Sequence, residues 1–151
     1  MRVLLVLFFL WSSLFSVEIY EEYRAVTKGD DINEILEMKI TDCYEDENIL
    51  KCEAKGVYQY PNYKEESEPN DKKDEFAGVK IYFKINLDTL KFTAKQYHIA
   101  GSGNDKESGD WNSTFRGYIT KDGEVFNYTE DYIEQKSGKK VVFHNIELIA
   151  Q

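Results

Sequence analysis

The chain has 151 residues, 28 carboxylates against 19 Lys plus Arg, and a formal net charge of -9. That length suits one domain, and 15% aromatic residues with only two prolines exclude a disordered chain. The charge argues against nucleic acid and anionic membrane surfaces as partners, and it permits a basic protein.

Met1 to Ser16, MRVLLVLFFLWSSLFS, reads as a secretory signal: one basic residue, an apolar run, then small residues ending at Ser16. The run is shorter than the ~20 residues of a spanning helix, so no stable membrane insertion is expected after cleavage. The domain is then 17–151, in a periplasmic or extracellular compartment. Glu18 to Thr27 reads as a first strand with Val17, Ile19, Tyr23 and Ala25 on one face. Lys28 to Asp31 is turn material, with Asp30 or Asp31 placed to cap a short helix or to precede a continuing strand.

Leu36–Asp42 and Leu50–Tyr60 both alternate apolar and polar residues, the pattern of half-buried strands. Folding them about Asp46 sets Glu37 across from Lys55 and Lys39 across from Glu53, with Ile40 facing Cys52. Two cysteines in an exported chain predict one disulfide, Cys43–Cys52. In that register the two lie on opposite faces, so a bulge near Asp42–Tyr44 is expected. Pro61 to Glu75 is a long polar loop.

Val79 to Ile99 carries the clearest pattern in the chain. Val79, Ile81, Phe83, Ile85 and Leu87 alternate with Lys80, Tyr82, Lys84 and Asn86. A two-residue turn at Asp88–Thr89 sets Ile85 opposite Phe92, Phe83 opposite Ala94 and Val79 opposite His98. Gly101 to Asp110 is a second loop. It has neither the spacing of a phosphate loop nor that of an EF-hand, for which Asp105, Glu107 and Asp110 would be the oxygen donors.

Trp111 to Thr120 is a strand with Trp111, Phe115 and Ile119 on one face. Asp122–Gly123 signals a tight hairpin returning through Val125–Ile133, which puts Gly117 across from Tyr128. Val141 to Ile149 is the last strand, with Val142, His144, Ile146 and Leu148 predicted to face inward.

About eight strands joined mostly by tight turns predict an all-β antiparallel meander, closed or nearly closed into a barrel; a two-sheet sandwich is the alternative. Phe83, Phe92, Phe115, Phe126 and Phe143 together would fill a small barrel. No GxSxG, HExxH or CxxC motif occurs, and no enzyme, metal or cofactor is expected. His98 on the apolar face reads as a core residue, and His144 is a candidate neighbour of Asp131. The tyrosines are too many for the core, and Tyr82, Tyr97 and Tyr118 fall on solvent faces as a candidate binding surface. The expectation is an exported, non-enzymatic module that binds a protein, of inhibitor or immunity type. The alternative is a lipocalin-like barrel carrying a small apolar ligand. The sequence does not specify an oligomeric state.

Overall fold

The computed structural model of the chain describes residues 3–4, 17–28, 33–60, 75–101, 112–133 and 138–151. Two short strands, β1 (Val3–Leu4) and β2 (Ile19–Tyr20), pair antiparallel with each other. Eight more follow: β3 (Glu22–Lys28), β4 (Asn33–Asp46), β5 (Ile49–Tyr60), β6 (Glu75–Asn86), β7 (Lys91–Gly101), β8 (Asn112–Ile119), β9 (Val125–Ile133) and β10 (Lys140–Ala150). Each pairs antiparallel with the next, and β10 pairs back onto β3, so the meander is a closed barrel. Closure rests on Leu148–Ala25, Ile149–Arg24 and Ala150–Tyr23. It leaves no free edge among the eight strands, which removes the hazard of edge-to-edge aggregation. Most of the predicted signal segment, the loop 61–74, the loop 102–111 with Trp111, and the residues proposed to cap a helix lie outside the described residues.

Period-two burial holds along the barrel. Tyr23 and Ala25, then Leu36, Met38 and Ile40, Leu50, Cys52, Ala54 and Tyr58, and Val79, Ile81, Phe83 and Ile85 all point inward. Eight strands enclose an interior just wide enough for side chains to fill. Near the end with the tight turns, Phe83, Phe92 and Phe126 meet pairwise at ring-centroid distances of 5.8, 5.2 and 5.0 Å. Tyr23 meets Phe126 edge-on at 5.1 Å, and Phe115 stacks on Tyr128 at 4.6 Å. Each ring buried this way stabilises the fold by roughly 1.5–3 kcal/mol.

Val17, Ile19 and Tyr20 are buried at this end as its floor. The Tyr23 hydroxyl pins them. It accepts from the Tyr20 N–H (3.0 Å) and donates to the Gly123 carbonyl (2.8 Å). Burial raises the Tyr23 pKa well above the usual phenol value, so the group stays neutral and able to donate.

Four expectations need correction. The β4–β5 ladder is set two residues away from the charge-paired register: Lys39 faces Lys55, Glu37 faces Val57 and Ile40 faces Ala54. The turn is Glu47–Asn48, with Glu47 at φ 56. Cross-strand ion pairs contribute only a few tenths of a kcal/mol, so they do not choose a register against turn geometry and a buried face. The bulge falls at Thr41, one residue before the predicted break, and brings Cys43 opposite Cys52, where they form the disulfide. The turns at Asp88 and Asp122 are wider than two residues. Leu90 takes φ 60 and donates to the Asn86 carbonyl (2.8 Å), and of Asp122 and Gly123 only Gly123 has positive φ. The central registers nonetheless hold: Ile85–Phe92, Val79–His98 and Gly117–Tyr128. Finally, β10 carries a bulge between Phe143 and Ile146, with Asn145 at φ 56. It leaves Phe143 packed against the core and turns His144 to solvent.

Candidate functional site

The meander puts the chain's chemistry in two places, inside the barrel beneath its second end and on the outer wall of β5–β8. The interior group was missed by sequence reasoning. Tyr58 donates to the Gln96 side-chain oxygen (2.9 Å), and the Gln96 amide donates to Ser113 Oγ (3.0 Å). Ser113 in turn donates to the carboxylate of Glu130. All four are buried, Gln96 completely. Glu130 faces inward between Phe115 of β8 and Phe143 of β10. Desolvation raises its pKa to about 7; the Ser113 hydrogen bond opposes the shift and the charge of Glu34 adds to it. The alternation of Phe126 and Tyr128 already implied that Glu130 points inward. The chain is continuous and closely packed, so it orders the interior.

The outer wall is different in kind. Its outward cations are Lys51 and Lys55 on β5, Lys80 and Lys84 on β6, Lys91 and Lys95 on β7, and Arg116 on β8. Glu53 is the one outward carboxylate among the described residues of these four strands. Seven cations and one carboxylate give the wall +6, so the rest of a chain of net charge -9 carries -15. The pattern is Lys-x3-Lys on three successive strands. Residues four apart on a strand share a face about 13 Å apart, and neighbouring strands are about 4.8 Å apart, so the ammonium groups form a grid.

The grid is only partly neutralised. Lys51 pairs with Asp46 (2.7 Å), and the hydrogen bond between them raises the lysine pKa and lowers that of the aspartate. Lys80 pairs with Glu53 (3.7 Å), and a hydrogen bond with Tyr82 is the larger influence keeping it charged. Arg116 pairs with Asp131, which also takes Lys140 (3.1 Å). Asp131 is thus held by these two cations, and His144 points to solvent. Lys55, Lys84 and Lys95 have no anionic partner among the described residues. Lys39, Lys55 and Lys80 lie side by side across three strands, as do Lys51 and Lys84 across two. Like charges set opposite one another are destabilising. The fold retains them.

Tyrosines punctuate the grid. Tyr82 and Tyr97 are exposed and meet edge-to-face at 5.9 Å. Tyr118, also exposed, faces Lys91 at the far end of β8, about 20 Å from the strand position opposite Tyr97. The three predicted tyrosines are therefore one pair and one separate residue on a common wall. Lysine ammonium groups lie over Tyr44 (Lys51, 5.7 Å), Tyr82 (Lys80, 5.2 Å) and Tyr118 (Lys91, 6.0 Å). Such contacts contribute about 0.5–1 kcal/mol each at exposed sites.

Among the described residues no cluster of three metal-ligating side chains occurs, and no helix is long and apolar enough to cross a membrane. The chain matches no known protein family, no curated protein and no solved structure.

Proposed function

We propose that this is an exported, non-enzymatic binding module, and that the wall of β5–β8 is the face that engages a protein partner. The observation that carries the reading is the retained surplus of unpaired lysines interleaved with exposed tyrosines on one sheet face. Tyrosine brings large contact area with one hydroxyl, and a face dominated by one sign of charge steers encounter. The basic partner that the net charge favours would have to meet the acidic remainder of the chain, away from these tyrosines. Export is supported by the Cys43–Cys52 disulfide and the signal-like first sixteen residues. The lipocalin-like alternative has less support, because aromatic rings fill the tight-turn half of the barrel.

The test is capture of partners by immobilised protein from the exported fraction of the cells that make it. Charge reversal at Lys55, Lys84 and Lys95 should abolish capture. A control reversing Glu22, Glu124 and Glu147, all exposed and off the wall, should retain it. Equal capture by both variants would show that the wall is not the binding face.

A further inference from the structure

We propose that a cleft on this wall, lined by Lys51, Lys84 and Lys91, is an anion-binding seat for the carboxylates of an acidic segment of a protein partner. The inference rests on the wall being the binding face and adds the chemistry of what it holds. The cleft has a volume of about 440 Å³ and is further lined by Asn86 and Thr93 and by the carboxylates of Asp46 and Glu47.

Its unpaired polar groups are mostly donors. Asp46 is taken by Lys51, while Lys84, directly across the ladder from Lys51, has no anionic partner among the described residues. The Asn86 side-chain oxygen accepts from the Asp88 and Thr89 N–H groups (2.9 and 3.0 Å), so its amide NH2 is the end left for a ligand. With Lys51 matched by Asp46, the two remaining ammonium groups of Lys84 and Lys91, an amide and a hydroxyl outweigh the carboxylate of Glu47, and an anion bound there relieves the repulsion between Lys51 and Lys84.

Two features favour protein carboxylates over other anions. Single strands of nucleic acid bind by stacking bases on open aromatic faces. Here lysines lie over Tyr82 and Tyr118, and Tyr97 meets Tyr82 edge-to-face. A compact oxyanion such as phosphate reaches only one row of the grid. An extended acidic peptide seats one carboxylate among Lys51, Lys84 and Lys91 and carries others past the cleft toward the outer lysines, about 13 Å along each strand.

The test is a titration of the isotope-labelled protein, at low salt and at 0.3 M salt, with a ten-residue peptide alternating Glu and Ser, with pyrophosphate, and with a single-stranded oligonucleotide. Backbone amide signals are followed by NMR. The peptide is expected to move Lys84, Asn86, Lys91 and Thr93 first and to weaken with salt. Combined Lys84→Gln and Lys91→Gln should cost at least tenfold in its affinity, and Lys55→Gln less than threefold. If the peptide moves all wall lysines alike and the double variant binds normally, the cleft is no seat and this inference fails, while the wall reading stands. Tighter binding of pyrophosphate or the oligonucleotide at the same residues overturns the assignment to acidic peptide. If no probe moves any wall residue, the inference and the wall reading fall together.

Discussion

Glu130→Gln offers the most informative perturbation of the interior. Glu130 is 7% exposed, and its pKa is raised from an ordinary 4.5 to about 7. Burial between Phe115 and Phe143 is the main cause. Glu34 from β4 is the nearby charge that adds to it, and Ser113 opposes it. Below pH 4.5 both folded and unfolded chains hold the proton, and the group costs nothing. Between pH 4.5 and 7 the unfolded chain has released its proton and the folded chain has not. Stability therefore falls as pH rises through this window, and the loss is complete above pH 7. A displacement of this size corresponds to about 3 kcal/mol. Glutamine keeps the shape and an acceptor for Ser113 but cannot ionise. Urea unfolding followed by far-ultraviolet circular dichroism should find the variant and the parent similar at pH 4.5, and the variant more stable by about 3 kcal/mol at pH 8. Parallel curves for the two proteins, or a Glu130 carboxyl that titrates near 4.5 by carbon NMR, would refute the reasoning.

Other expectations concern the floor and the staple. Gly123 has φ 75, and a Cβ there would lie 1.6 Å from the Glu18 carbonyl oxygen, so Gly123→Ala should lose roughly 2 kcal/mol or more in urea melts. Gly138, with φ 66 but nothing within 4 Å of its Cβ position, should lose only about 1 kcal/mol on the same change. Tyr23→Phe strands the Gly123 carbonyl and the Tyr20 N–H, at about 1–3 kcal/mol, with faster amide exchange at residues 19–20. Replacing Cys43 and Cys52 together by serine should cost about 2.5–3 kcal/mol, because the lost crosslink closes a short loop with a sequence separation of 9.

The fold was legible wherever a buried face and a turn agreed. Val79–Ile85 and Phe92–Ala94 fix their own register, because a one-residue slip would turn every apolar side chain outward. The β4–β5 ladder was misread because a two-residue slip keeps the faces and changes only the pairs. Weak ion pairs then chose the wrong partners for Glu37 and Lys39. The bulge in β10 has one sequence mark, Asn145, a residue type that tolerates positive φ. The disulfide was readable from the cysteine count, with its bulge misplaced by one residue. Of the β5–β8 wall, the exposed tyrosines were found. The threefold Lys-x3-Lys was not, since each hairpin taken alone shows only an ordinary wet side. It becomes a grid only when β5, β6 and β7 lie next to one another.

Amine acetylation of the partner-bound protein, read by mass spectrometry, tests the wall most directly. Lys55, Lys84 and Lys95 should be protected at least fivefold relative to the free protein, while Lys121 and Lys139, which lie off β5–β8, react as before. Protection confined to Lys121 and Lys139, with the three wall lysines unchanged, would contradict the account.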